Sequence, residues 1–397
     1  LPEHIGYENG VLGGVSSALQ AFTAPGEEVL VHSPTYVGFT HTFQDTGRVA
    51  VHSPLKRDEQ GIWRMDYEDM DRKIKEHNIH LAIFCSPHNP CGRVWERREI
   101  ERAMEVYAAN NCLVISDEIW SDIIMPGYKH IPTQSVSEDA RERTVAFYAP
   151  SKTFSLAGLV GSYHIIYNKY LRERVLRQSR LSHYNDPNVL SVHALIGGFS
   201  PEGEAWAEEM IQVVKGNLDY ACGFIRDNFP GVKVMRPQGT YMLFLDCGDF
   251  CRSQGISISR LQERGVRRGV IWQNGEDFMF PDSIRMNFAL PRSLAEEAME
   301  RLKARGYQMA LASSKPEMMC RPICEKFGFA PSMAVITGSP PVGDWSKADV
   351  IRETMRRLGL TEADKPSIVM VGDRKFDVLG ARECGIACVG VEFFGYA

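Results

Sequence analysis

The sequence has no C-x-x-C pair, although it holds ten cysteines in 397 residues. Paired thiols at that spacing mark zinc sites and redox motifs, and a regular cysteine frame marks small secreted domains. Neither pattern is present. Cys85, Cys112 and Cys388 fall in predicted strands or helices, so the cysteines read as reduced core residues of a cytoplasmic protein. No apolar run approaches the ~20 residues that a membrane span needs. Positive charge is not in excess: the formal net charge is −5, which argues against nucleic acid or an anionic membrane as partner. The opening Leu1-Pro2-Glu3-His4 has neither the basic nor the apolar region of a signal peptide. With no initiator methionine, it reads as starting inside a longer gene product. Internal repeats and low-complexity linkers are also lacking. What remains, 44% hydrophobic and 24% charged, is the composition of a soluble globular protein long enough for two or three domains.

Short apolar runs at 28–32, 79–85, 112–120 and 145–148 read as buried strands, and helical patterns such as 97–110 separate them. That alternation predicts an α/β fold with a mostly parallel sheet, whose strands all deliver their following residues to one edge. Residues 168–228 read as mainly helical, broken at Asn185-Asp186-Pro187 and at 199–203, with a long helix from about 204 to 228. The pattern then changes. Strands are expected at 232–234, 241–245, 270–272 and 284–289, with helices at 257–268 and 293–305. The expected division is a large domain over 1–203, a small α+β domain over 204–304 and a further α/β segment over 305–397.

The candidate chemistry centres on Lys152, where the strand 145–148 stops and the chain turns through Ala149-Pro150-Ser151-Lys152-Thr153. A lysine beside apolar walls is poorly solvated, its pKa falls, and its neutral amine can form a Schiff base with an aldehyde. Other residues suit the rest of such a cofactor. The turn at Gly10-Val11-Leu12 enters a helix and could cup a phosphate. Tyr36 follows a strand and a proline break, where its ring could stack on a flat heterocycle. Asn89, in the tight loop 86–93, offers a donor and an acceptor to a ring hydroxyl. Asp117 ends a strand and could hold a ring nitrogen protonated, so that the ring takes up electrons. Arg285, on a late strand, could clamp a substrate carboxylate. Singly, each has a plainer reading: a turn, a tyrosine under a loop, a structural ion pair.

Together they resemble the fold-type I pyridoxal-phosphate enzymes of the class I/II aminotransferase family, over about 5–303. The runs Ser86-Pro87-His88-Asn89-Pro90-Cys91-Gly92-Arg93 and Ser116-Asp117-Glu118-Ile119-Trp120-Ser121-Asp122 are similar to the MalY/PatB cystathionine β-lyases. The resemblance implies a PLP-transferase-like large domain, pyridoxal phosphate held covalently by Lys152, and phosphate contacts from the glycine turn and Ser151. It also implies that Asp117 pairs with the ring nitrogen, Asn89 with the ring oxygen, and Arg285 with the α-carboxylate of an amino acid. The implied activity is carbon–sulfur β-lysis of cystathionine- or cysteine-type amino acids, giving thiol, pyruvate and ammonia, in a homodimer. Transamination is the alternative. Two departures stand out: Trp120 occupies a position where many relatives have tyrosine, and Val160 one where many have arginine. Relatives also carry a substantial segment before the glycine turn. A catalytically inactive fusion acting as a binding module is therefore the competing reading.

Residues 305–397 resemble the second half of a HAD-type phosphatase of the phosphoglycolate phosphatase-like branch. By that resemblance Ser313 and Lys347 would touch phosphate, and Asp373 and Asp377 would coordinate Mg²⁺. The D-x-D strand that carries that family's nucleophile has no counterpart, since Asp344 and Asp349 lie in the wrong context. Phosphatase activity is expected to be absent, and the chain is expected to join two incomplete proteins within a shared helix around 298–306.

Overall fold

The apolar runs become strands because both of their faces are covered, so alternation of apolar and polar residues is not needed. The computed structural model describes residues 1–181, 186–303, 308–328, 330, 333–341, 343, 345–372 and 374–390. The chain divides into two units, Leu1–Lys303 and Ala304–Ala397. The first is built on a seven-stranded sheet in the order Ile5–Asn9, Gly161–Ile165, Thr144–Tyr148, Leu113–Asp117, Leu81–Cys85, Glu28–Ser33, Val49–Pro54. Gly161–Ile165 runs antiparallel to both neighbours, and the pairs from Thr144–Tyr148 through Val49–Pro54 are parallel. Successive side chains alternate between two cores. Val29, Val31, Leu81, Ile83, Ile115, Val145 and Phe147 pack with Val11, Val15 and Leu19 of the helix Val11–Phe22. Leu30, Ala82, Phe84 and Val114 pack on the other face with Trp95, Ile100 and Tyr107.

Two strands of this sheet were not expected from the sequence. Ile5–Asn9 and Gly161–Ile165 pair with each other at the edge, and their join is polar: His164 Nδ1 lies 2.7 Å from Glu8 Oε1, both residues buried. The opposite strand, Val49–Pro54, was likewise unforeseen.

The helix Pro201–Asn228 leads from the large sheet to a four-stranded antiparallel sheet, ordered Lys233–Val234, Met242–Asp246, Ser283–Asn287, Gln273–Asn274. The expected strand at 270–272 is corrected. The paired residues are Gln273 and Asn274, because the Val270 N–H is still spent on the Gly265 carbonyl at the end of the helix Ile258–Arg267. The helix expected over 293–305 is Arg292–Lys303, and its last two predicted residues, like Asn185 of the expected helix break, lie outside the described residues. Among the described residues no helix is long and apolar enough to cross a membrane.

A buried arginine ties the small sheet's approach to the loop that holds Asn89. The Arg93 guanidinium donates to Glu99, to Gln238 Oε1 and to the Trp63 carbonyl. Arg93→Met should destabilise the chain by about 3 kcal/mol in denaturant unfolding. That is the low end for breaking a buried pair, because Arg64 still reaches Glu99.

The second unit holds two separate two-stranded parallel sheets, Met309–Pro316 with Met333–Ser339 and Val369–Gly372 with Ala387–Gly390. The helices Glu317–Lys326, Lys347–Arg357 and Lys375–Cys384 accompany them.

Candidate active site

Parallel pairing sets the site. Cys85 lies opposite Asp117, and Asp117 opposite Phe147, so three neighbouring strands end level with one another. Asn89 follows the first of these strands, Asp117 closes the second, and Lys152 follows the third. Tyr36 follows the next strand over, Glu28–Ser33. All four emerge at the carboxyl edge of the sheet, where open α/β sheets bind ligands. Arg285 arrives from the small sheet, and its Nη1 donates to Asn89 Oδ1 at 2.7 Å.

The electrostatics of these groups are coupled. Burial pushes the Asp117 carboxyl up to about 6, partly opposed by the Ile119 N–H at 3.1 Å and by Lys152. Burial lowers the Lys152 ammonium, with Asp117 raising it and Arg285 lowering it further. Tyr36 is raised by burial and then by Asp117, and Arg285 pulls the other way. Arg285 itself is brought down to about 10 by burial. Asp117, Lys152, Arg285 and Tyr36 therefore share one electrostatic neighbourhood. The Lys152 amine also lies 5.8 Å from the centre of the Trp120 ring, which stands edge-on to Tyr241.

Local hydrogen bonds hold these groups in place. The turn after Ala149 is closed by Phe154 N–H to Pro150 O and Leu156 N–H to Ser151 O. Thr153 Oγ1 donates to Asp122 Oδ2 at 2.9 Å, tying the Lys152 turn to the segment after Asp117. Beside Asp117, the buried Glu118 carboxylate accepts from Ser116 Oγ, the Thr133 N–H and Tyr148 Oη, and pairs with His130 Nε2 at 2.7 Å. A guanidinium only donates, so Asn89 must present its oxygen to Arg285, which leaves its amide N–H groups for another acceptor.

Gly10 caps the helix Val11–Phe22 at φ 76°, and no side chain caps that helix. The first N–H groups, on Val11, Leu12 and Gly13, thus lack intrahelical partners and form an anion cup. A Cβ on Gly10 would come within 3.2 Å of Val160 Cγ1. Val160 therefore borders the cup and brings no charge to it. Ser151 lies half-buried in the Lys152 turn.

Sequence reasoning missed Gln273 and Tyr241. Gln273 Oε1 accepts from Arg285 Nε at 2.9 Å and sits directly across from it in the sheet. Placing the strand at 273–274 instead of 270–272 would have exposed that register. Tyr241 is close enough to Arg285 and Tyr36 for both to shift its titration.

This donor set fits pyridoxal phosphate: a depressed amine, a buried carboxylate whose raised pKa calls for a cation, an oriented amide and an uncapped helix start.

In the second unit, Lys347 Nζ donates to the Ala312 carbonyl and pairs with Asp377 Oδ1 at 2.6 Å. Ser313 is half-buried and accepts from the Lys315 N–H. Asp373 lies outside the described residues. Among the described residues no group of three or more His, Cys, Asp and Glu side chains is placed to hold a metal ion.

Residues 290–391 match the family described as haloacid dehalogenase-like hydrolase, and the C-terminal segment is a domain of that kind. Residues 2–302 match aminotransferase class I and II. The two matches overlap over 290–302, on the helix Arg292–Lys303. Cystathionine beta-lyase PatB of Bacillus subtilis is 33% identical over 311 residues, covering 76% of this chain and 78% of that protein. The crystal structure of cystalysin from Treponema denticola, which contains pyridoxal 5'-phosphate, superposes with a TM-score of 0.72 at 30% identity, covering 76% of each chain. The PLP-bound C-S lyase from Staphylococcus hominis gives 0.71 at 28% identity, covering 77% of this chain and 78% of its own. With its catalytic edge, its two sheets and these relatives in agreement, residues 2–302 make the chain a member of the class I and II aminotransferase family of pyridoxal-phosphate enzymes.

Proposed function

We propose that the chain is a carbon–sulfur β-lyase for cystathionine- or cysteine-type amino acids, acting as a homodimer. The observation that carries this reading is the meeting of Lys152, Asp117, Asn89 and Arg285 at one sheet edge. The PatB and C-S lyase relatives favour a sulfur leaving group. Bound pyridoxal phosphate supplies an electron sink for a carbanion at the substrate's Cα.

The chain's own residues have distinct tasks. Lys152 Nζ would anchor the cofactor and, when free of it, would take the proton from Cα, a role that its burial-lowered pKa favours. Asp117 keeps the proton on the ring nitrogen. Asn89 donates an amide N–H to the ring oxygen while its own oxygen stays on Arg285. Val11, Leu12 and Gly13 N–H groups, with Ser151, hold the phosphate. Tyr36 covers the ring. Arg285 binds the α-carboxylate with a guanidinium preoriented by Gln273.

Lysis and transamination diverge only after Cα is deprotonated, and the family's name supports transamination as the second reading. The test is to feed cystathionine and assay pyruvate, ammonia and thiol. Stoichiometric pyruvate supports lysis, and amino transfer to a 2-oxo acid without pyruvate supports the second reading. Arg285→Lys should raise KM for the amino acid roughly 10- to 100-fold, the cost of a lost charged hydrogen bond, with a smaller change in kcat. Steady-state kinetics separates the two.

For the C-terminal unit we infer no phosphatase turnover. Lys347 is spent on Ala312 and Asp377, and no D-x-D run lies in the sequence between Ala304 and Lys347. Purified chain should not hydrolyse p-nitrophenyl phosphate in excess Mg²⁺, and measurable turnover would overturn the inference.

A further inference from the structure

Just before the strand Met242–Asp246, the chain is fastened on two sides. The Gln238 and Gly239 N–H groups both donate to the Gly92 carbonyl, at 2.8 and 3.1 Å. The Gln238 carbonyl accepts from the Met125 N–H at 2.9 Å, and the Thr240 N–H donates to the Ile123 carbonyl at 2.8 Å. Gly92 belongs to the Asn89 loop, and Ile123 to the segment that follows Asp117. Thr240 is fully buried at φ 67°. A β-branched residue rarely adopts that left-handed conformation. Its hydroxyl accepts from the Met242 N–H at 3.1 Å, which helps to hold the bend. Such an outlier inside a well-bonded segment persists only because the surroundings enforce it, and it sets the direction of the next side chain.

That side chain is Tyr241. Its ring stands edge-on to Trp120 with centroids 4.7 Å apart, and Trp120 lies 5.8 Å from the Lys152 amine. Its hydroxyl lies within electrostatic reach of Arg285 and Tyr36. Tyr241 is half-buried, and among the described residues its hydroxyl makes no hydrogen bond. Arg285, by contrast, has spent most of its donors. Of five guanidinium N–H groups, those on Nε and Nη2 donate to Gln273 Oε1 and one on Nη1 donates to Asn89 Oδ1. Two remain, one on each terminal nitrogen. A carboxylate offers about four acceptor positions, so two N–H groups leave it half satisfied. Lys152 and Asn89 face the cofactor in the proposed reaction and do not make up the difference. Tyr36 also lies near Asp117, on the cofactor's side, whereas no acid acts on Tyr241. A free phenol beside a guanidinium is placed to donate to the anion that the guanidinium recruits.

We propose that Tyr241 is a second binding residue for the substrate's α-carboxylate, its hydroxyl donating to that group beside Arg285 and so selecting amino acids over plain amines. This rests on the amino-acid reading of the site and adds a residue to it. The test is binding, read from the absorbance of the cofactor in the loaded chain. The two probes are L-alanine, which has no leaving group, and ethylamine, which has no carboxylate. Tyr241→Phe keeps the ring against Trp120 and removes only the hydroxyl. It should raise the Kd for L-alanine about 10-fold, the loss of one hydrogen bond to a charged group, and change that for ethylamine by no more than about twofold. KM for cystathionine should rise by a similar factor with a smaller change in kcat. The proposal is overturned if the L-alanine Kd is unchanged, or if both probes weaken alike. It is also overturned if kcat for cystathionine falls while L-alanine binding holds, which would give the hydroxyl to the leaving sulfur. The L-alanine loss appearing in Tyr36→Phe and not in Tyr241→Phe would overturn it in favour of Tyr36. A loaded wild-type chain that responds to neither probe sinks the amino-acid reading itself, and this proposal with it; a wild-type response with no effect of Tyr241→Phe sinks the proposal alone.

Discussion

Lys152→Ala should lower turnover of cystathionine by at least about 10³-fold and remove the visible absorbance band of the covalently held cofactor. Two losses combine. The amine is the anchoring nucleophile, and it is also the base for the Cα proton, a role worth roughly 10²–10⁴-fold by itself. The folded chain has no evident substitute: Trp120, 5.8 Å from the amine, cannot accept a proton, and Arg285 stays cationic. The change should not unfold the protein. The turn is closed by backbone bonds from Phe154 and Leu156 and by Thr153 on Asp122, none of which uses the Lys152 side chain. Loss of activity with unchanged Tm of the cofactor-free chain, partly restored by a small primary amine, is the expected signature. Retention of more than a tenth of the wild-type kcat would remove Lys152 from the mechanism.

The positions in this site were legible because each follows an apolar strand that hydropathy finds easily. Lys152 comes after Thr144–Tyr148, Asp117 closes Leu113–Asp117, and Asn89 lies in a loop punctuated by two prolines. Parallel pairing then does the rest, by ending those strands together. The strands that escaped notice do not advertise themselves. Ile5–Asn9 and Gly161–Ile165 are joined by a buried Glu8–His164 hydrogen bond, and two polar side chains in a strand pair do not read as core in sequence. Gln273 escaped for another reason. Its function is to hold Arg285, and that follows from a register between elements far apart in the chain. Glu118 is similar: partners from Ser116, Thr133, His130 and Tyr148 surround one carboxylate, and Tyr148 lies 30 positions away on a neighbouring strand.

Asp117→Asn should reduce turnover by about 10³-fold or more and, in the cofactor-free protein, should raise stability at neutral pH. The first effect follows because a neutral amide cannot keep the ring nitrogen cationic, and the electron sink weakens. The second follows from linkage. Burial holds the folded Asp117 carboxyl at about 6, against roughly 3.9 in an unfolded chain. A carboxyl with a raised folded pKa binds more protons folded than unfolded between those two values. Stability therefore falls as pH rises through that window, and the penalty is complete above pH 6 and absent below about 4. Two pKa units correspond to roughly 3 kcal/mol. Asparagine does not ionise, so wild type and Asp117→Asn should unfold alike near pH 4 and diverge by roughly 2–3 kcal/mol by pH 8, the variant being the more stable. Saturating pyridoxal phosphate should reverse the order, since Asp117 then faces a cation and its ionisation becomes favourable. Urea unfolding at pH 4, 6 and 8, with and without cofactor, measures all of this. A cofactor-free Asp117→Asn chain less stable than wild type at pH 8 would show that the carboxylate is satisfied by Lys152 and the Ile119 N–H alone, and that the site is not poised for a positively charged ring.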